Sequence, residues 1–514
     1  MGKYGILLPY MTNLLDFISR KKSYAAKLKV LFIASEAAPF AKVGGLGEVM
    51  SALPLALRAL GHDARIMMPR YASVDRERYA LKMVREGLAV PTGGNPATLI
   101  CNVLAHEGSD TAPTYFLENQ EYYEKRANVY GYADDPIRWM LLSRGVLEFL
   151  KQSAWVPDVI VANDWQTGFI PDLVHKEYQN DPVIDTIATV FVIHNLYHQG
   201  MFDHRFVSEM NFDAGQAPIG DLFSPRLLQL NAMRRGIMYA DLIITVSPTY
   251  AKEILTKECG EGLEGLLGER RMQLSGIING IDYERLNPET DPYITEKFDS
   301  KTAYRRARNK RVLQDRFGLK RDDNAFLIGI VSRMDHQKGF DLIMDVAQPL
   351  FRETDVQLAV LGSGDNTYRL FFKELIEKHP GRAGGYFDFD PVLPHLIFAG
   401  ADAILIPSAF EPSGLTQMEA MRYGCIPIAR RTGGLADTIV DYDGADAGDG
   451  FLFETFDSWA LFAALIRARE THRHREIWQG LMKRAMGKDF SWTASALEYE
   501  RKLVAAIEYH KRLQ

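Results

Sequence analysis

Residues 29–68 read KVLFIASEAAPFAKVGGLGEVMSALPLALRALGHDARIMM. The run Lys29–Ser35 is apolar, β-branched and aromatic, and predicts a buried strand. A Gly-rich loop spans Ala37 to Gly47. Glu48–Leu60 then has helical spacing and stops at Gly61. Pro54 lies inside that stretch and is expected to kink it. Ala64–Met68 reads as the next strand. Strand, helix and strand in this order make a βαβ unit, which implies a parallel sheet with helices on both faces.

The same grammar restarts in the second half. Ala325–Ser332 reads as a strand, Arg333–Gly339 as a loop and Phe340–Phe351 as a helix. Gln357–Leu361 and Ala403–Ile406 are further strands, and Pro407–Gly414 is a loop before a helix at Leu415–Tyr423. The expected fold is therefore α/β, with two doubly wound Rossmann-like domains. Asn-Gly, Asn-Pro and Asp-Pro turn signals place their join between Gly276 and about Arg306. Ligands of such sheets sit outside the carboxyl ends of the strands. Two domains facing each other would put the site in the cleft between them, where closure could gate it.

Composition agrees with two large domains. The chain has 514 residues, more than one core usually supports. Apolar residues make up 47% and charged residues 25%, which excludes a disordered or fibrous chain. Sixty Lys plus Arg against 66 Asp plus Glu give a net charge of −6, so no global basic field points to nucleic acid or an anionic membrane. No uninterrupted apolar run reaches 18 residues, so no transmembrane segment is expected. Cys101, Cys259 and Cys425 are far apart and odd in number, and are read as reduced thiols of a cytoplasmic protein. Residues 1–28 show no signal-peptide cleavage site and are expected to form an extension, an extra helix on the first domain. An amphipathic surface helix and a start at Met11 are the alternatives.

Four loops that follow strands carry chemistry. In Lys42-Val43-Gly44-Gly45-Leu46-Gly47, adjacent glycines before a helix let backbone amides approach an anion, and Lys42 supplies a full charge. The spacing is neither that of a Walker loop nor Gly-x-Gly-x-x-Gly. In the second loop Arg333 and Lys338 flank a strand-to-helix turn. A cation beside a helix start is unfavourable unless an anion binds there. The third loop, Phe410 to Glu419, offers the first-turn amides of Leu415 and Thr416 to a phosphate, with Glu411 just before them. The fourth places His194 at the carboxyl end of a strand. Together they suit a diphosphate held across a cleft, with Arg and Lys stabilising it as it leaves. No His, Cys and carboxylate spacing suggests a metal site, so no metal or other cofactor is expected.

From Lys29 to the C-terminus the sequence resembles the bacterial glycogen synthase and plant starch synthase family. The matching segments are Lys42–Leu46, Ile193–Leu196 with Gln199-Gly200, Thr245–Tyr250, Gly276–Asp282, Gln337-Lys338-Gly339, Thr432–Asp437 and Phe490-Ser491-Trp492. Glu411 and Glu419 fit the E-x7-E pattern of retaining two-domain glycosyltransferases. The resemblance implies the fold called GT-B. It implies transfer of glucose from a nucleotide-sugar donor, ADP-glucose, to the non-reducing 4-hydroxyl of an α-1,4-glucan, glycogen or starch. Configuration would be retained and no metal needed.

The resemblance also implies roles. Glu411, His194, Arg333 and Lys338 would form the catalytic set. Lys42, Gly44, Gly45, Asp164, Asn279, Ser413, Gly414, Leu415 and Thr416 would bind the donor, with Lys42 and the glycine amides on its distal phosphate. Glu48, Tyr122 and Trp165 would line the acceptor or sugar site. Glu48 stands where the family often has Asp, Ser413 where it has Cys, and Gln166 where it has His. Tyr386 and Phe389 compete for the position that stacks on the base. The resemblance divides the chain into 1–28, a domain at 29–285, a nucleotide-sugar domain at 286–490, and a helix at 491–514 crossing back to the first domain. A transferase of this fold using UDP-glucose, and a non-catalytic glucan-binding scaffold, are the rival readings.

Overall fold

The computed structural model describes residues 27–200, 212–444 and 447–514. The expected helix within residues 1–28 therefore lies almost wholly outside the described residues.

Two sheets organise the described chain. The first takes β1 (Lys29–Ile33), β2 (Asp63–Pro69), β3 (Lys82–Pro91), β4 (Thr98–His106), β5 (Thr114–Glu118), β6 (Val159–Asn163), β7 (Ala188–Ile193), β8 (Leu242–Thr245) and β9 (Leu274–Gly276). Their order is β3-β4-β5-β2-β1-β6-β7-β8-β9. The second sheet takes β10 (Leu327–Val331), β11 (Gln357–Leu361), β12 (Ala383–Tyr386), β13 (Ala403–Ile406), β14 (Ile426–Arg430) and β15 (Phe451–Phe453), ordered β12-β11-β10-β13-β14-β15. The second sheet is parallel throughout. The first is parallel except where β4 runs antiparallel to both β3 and β5 at one edge. That hairpin edge is mostly exposed on β3, so it lacks the continuous apolar run that marks a buried parallel strand.

The helix expected at Glu48 begins earlier, at Gly45, and runs to Ala59. Pro54 sits within it without ending it. It is buried, as are Met50, Leu53 and Leu57 of the same helix, which belong to the first core.

The crossing between the halves lies within the turn-rich join, near its start. Ile277 packs into the first core, whereas Ile281 and Leu286 pack with Phe298, Ile397 and Met418 of the second half. The change of core therefore falls between Ile277 and Ile281. The chain returns beside this crossing. The Ile281 amide donates to Phe490 O at 2.8 Å, and Ser495 Oγ donates to Ile278 O at 2.7 Å. The helix Trp492–Leu513, capped by Ser491, then buries Ala496, Tyr499, Leu503 and Val504 in the first core.

Both sheets contain a switch point, where a strand's two neighbours are connected to it in opposite directions. In the first it lies between β1 and β6, in the second between β10 and β13. Crevices outside the carboxyl ends at such points are where α/β sheets bind ligands. The loops leaving β1, β6, β10 and β13, with that leaving the adjacent β7, carry the residues described next.

Candidate active site

A cavity of about 1030 Å3 lies between the two halves. From the first half it is lined by Gly44, Gly45, Asp164, Trp165 and His194, and from the second by Arg333, Lys338, Glu411, Ser413, Gly414, Leu415 and Thr416. Asn279 enters from the crossing segment, where its Nδ2 donates to Ser413 Oγ at 3.2 Å.

The second half builds a buried ion pair. Lys338 Nζ lies 2.6 Å from Glu411 Oε2, and Ser408 Oγ donates to the same oxygen at 2.9 Å. Glu411 is 8% exposed. The two loops are stitched together, since the Ala409 amide donates to Gln337 O at 2.8 Å and Gln337 Nε2 to Phe410 O at 3.1 Å. Gly339 makes the approach possible. It adopts φ +70°, and a Cβ there would lie 2.0 Å from Pro407 O. Arg333, by contrast, is free to swing: its side chain is 72% exposed and only 3.7 Å from Asp335 as its nearest anion.

In the first half, Asp164 and His194 are fixed together. Asp164 holds φ +55°, a region few residues other than glycine adopt, and its Oδ1 accepts the His194 amide at 2.8 Å. Burial, the first cause, pushes its carboxyl up to about 7, opposed by the amides of His194 and Asn195. Burial pushes the His194 imidazole down to about 4, so the ring is neutral at pH 7. Its tautomer follows from its neighbour. Asn163 Nδ2 donates to Ile33 O at 3.1 Å and Val161 O at 3.0 Å, which turns Asn163 Oδ1 toward His194 Nε2 at 3.0 Å. Nε2 must therefore carry the proton, leaving Nδ1 as an acceptor.

Three expected residues stand elsewhere. Lys42 Nζ lies 2.5 Å from Glu48 Oε1, in an adjoining recess of about 180 Å3 that also holds Glu419 and Arg285. Burial and the Glu48 carboxylate push Glu419 up to about 7. Tyr122 lies on the turn Gln120–Glu124 and does not line the main cavity; Tyr130 and Tyr132 do. Neither Tyr386 nor Phe389 lines it either, and both are exposed.

Glu36 was not legible in the sequence. It is 3% exposed, and its Oε2 accepts the amides of Val43 and of Gly44, the latter at 3.0 Å. Tyr130 donates to its Oε1 at 3.0 Å. The glycine loop expected to bind a phosphate thus has two of its amides on a side chain of the same chain, while Gly45 opens the helix beyond them. Glu36 lies three residues after the end of β1, and that position at a switch point was the available signal.

Residues 29–269 match the family described as starch synthase catalytic domain, and residues 312–479 that described as glycosyl transferases group 1. A glycogen synthase of Geobacillus stearothermophilus is 43% identical over 481 residues, 92% of this chain and 97% of that one. The chain belongs to the glycogen and starch synthase family. Within the family, the glycogen synthase of Clostridium perfringens is 42% identical over 474 residues, covering 92% and 97% of the two chains. The catalytic domain of starch synthase IV from Arabidopsis thaliana, solved bound to ADP and acarbose, superposes with a TM-score of 0.81 at 32% identity, covering 94% of this chain and 100% of that one. A sucrose-phosphate synthase from Thermosynechococcus elongatus shares the fold alone, with a TM-score of 0.58 at 17% identity. The fold is GT-B, and the activity is that of the family, glycosyl transfer in glycogen or starch synthesis.

Proposed function

We propose that this glycogen/starch synthase takes glucose from ADP-glucose, adds it to the non-reducing 4-hydroxyl of an α-1,4-glucan, retains the anomeric configuration and uses no metal. The observation that carries this reading is the meeting of two switch points in one cavity, with Lys338, Arg333 and Glu411 on one wall and Asp164 and His194 on the other.

In this reading the diphosphate lies against Arg333, Lys338 and the amides of Gly414, Leu415 and Thr416. Breaking the bond between the anomeric carbon and the phosphate oxygen leaves negative charge on the diphosphate, which Lys338 stabilises from a fixed position and Arg333 by swinging onto it. Glu411 faces the positive charge that develops at the anomeric carbon. Asp164 and the Nδ1 atom of His194 accept from sugar hydroxyls and orient the ring. In this reading Lys338 and Arg333 supply the positive charge that a divalent ion would otherwise bring, which supports metal independence. A nucleotide-sugar donor and a glucan acceptor follow from the family; ADP as the nucleotide is the proposal's finer point. A cytoplasmic location is supported by three free cysteines, two of them buried. No described helix is long and apolar enough to cross a membrane.

The test is elongation of glycogen with labelled ADP-glucose, followed by β-amylase digestion. Label released by β-amylase shows α-1,4 addition at non-reducing ends. Loss of incorporation in Glu411→Ala is expected; incorporation at the parent's rate would contradict the assignment, and label resistant to β-amylase would contradict retention.

A further inference from the structure

Two segments singled out in the sequence, Thr245–Tyr250 and Thr432–Asp437, do not carry the catalytic groups. The structure brings them together across the interface between the halves. Glu253, the last residue of the helix Pro248–Glu253, accepts from Thr432 Oγ1 at 3.0 Å, and both its oxygens lie 3.1 Å from the Gly433 amide. Asp437, in the helix Gly433–Thr438, accepts from the Thr249 amide at 3.0 Å, from Thr249 Oγ1 at 2.6 Å, and from Ser247 Oγ. Each carboxylate therefore caps the other half's helix. Thr432 does not cap its own helix with its side chain, so the cap comes from the other half. Such bonds are charge-assisted, and Thr432 and Ser247 are buried.

This reciprocal pair bears on the catalytic loop. The Gly434 amide donates to Glu411 O at 3.0 Å. Gly433 adopts φ +43°, and a Cβ there would lie 2.0 Å from Glu411 O; one on Gly434 would lie 1.7 Å from Ser413 O. Gln417 Nε2 ties Gly414 O, at 2.5 Å, to Thr438 Oγ1, at 3.0 Å. The backbone on which Glu411 rests is thus the same segment that Glu253 holds. On the other side, Val246, next to Ser247, lines the cavity. Neither Glu253 nor Asp437 lines it.

We propose that Glu253 and Asp437 are positioning residues whose reciprocal helix caps set the register of Glu411 against the sugar-binding wall of the first half. The proposal rests on the reading of Glu411 as the group facing the transferred glucose. Closure would make both caps together, and either one broken would let the Glu411 loop drift from its productive place, where small displacements cost rate.

The experiment measures kcat, donor KM and the unfolding midpoint for Glu253→Ala, Asp437→Ala, the double variant and Glu253→Gln, with Glu411→Ala alongside. Each single alanine variant is expected to lower kcat at least about tenfold with donor KM within threefold. The double variant is expected within twofold of the weaker single, because both act through one latch. Glu253→Gln keeps the acceptor oxygen and should stay within threefold of the parent. Parent-like kcat in both singles, a multiplicative loss in the double, or a Glu253→Gln variant with the parent's midpoint but the alanine variant's kcat would each overturn the proposal. An active Glu411→Ala would instead overturn the reading on which it rests.

Discussion

Lys338 Nζ and Glu411 Oε2 are 2.6 Å apart, although they are 73 residues apart in the chain and lie on loops from different strands of one sheet. The pair joins the cation that would steady the departing diphosphate to the carboxylate that would face the sugar. Lys338→Ala should therefore do two kinds of harm, removing a charge stabiliser and leaving the buried Glu411 carboxylate without its counter-charge, held by Ser408 alone. A kcat loss of roughly 10²–10³ is expected at saturating donor. Steady-state rates of Lys338→Ala decide it, and a change under threefold would sink the assignment. Arg333→Ala should show a loss of the same order through the diphosphate alone.

Glu48 and Lys42 make a second, weaker relationship. Their side chains are 29% and 46% exposed, so the pair is worth no more than about 1 kcal/mol. If Lys42 is needed on the distal phosphate, Glu48 competes for it. Glu48→Gln is then expected to lower donor KM by up to roughly fivefold. A raised KM would show that Glu48 itself contacts the donor.

Asp164 and His194 should imprint opposite slopes on stability. Between pH 4 and 6.5 the folded state keeps the Asp164 proton that the unfolded chain has released, so this carboxyl makes stability fall as pH rises. Over the same window the unfolded chain holds a proton on His194 that the folded state lacks, so the imidazole makes stability rise. The two offset each other. Relative to the parent, Asp164→Asn should gain roughly 1.4 kcal/mol per pH unit across that window, and His194→Gln should lose as much. Chemical denaturation at several pH values measures both slopes; parallel curves for all three proteins would contradict the assignments.

Metal independence is open to a direct test. Incorporation rates with EDTA and with added magnesium should agree within twofold. A fall of tenfold or more on chelation, restored by the ion, would show that Arg333 and Lys338 do not suffice.

Much of this site was legible before the structure because its residues follow strand ends. Gly44, His194, Arg333 and Glu411 each sit where an apolar run gives way to a loop, and the doubly wound pattern says such loops converge. What was not legible depended on side-chain reach and long-range pairing. Glu36 has no motif around it and acts by turning onto amides seven and eight residues later. Lys42 looks like a phosphate ligand until the Glu48 carboxylate, one helical turn and more away in sequence, is placed beside it. Tyr122 and Tyr130 are both aromatic in one loop region, and only the fold decides which lines the cavity. The antiparallel strands β3 and β4 escaped notice because β3 has little apolar periodicity. The latch of Glu253 and Asp437 pairs residues 179 or more positions apart, which no local pattern encodes.

The most direct test of the central claim is a side-by-side measurement of initial rates of glucose incorporation into glycogen from ADP-glucose and from UDP-glucose. The account predicts strong preference for ADP-glucose. Equal or faster transfer from UDP-glucose, or no transfer from either while glycogen still binds, would contradict it.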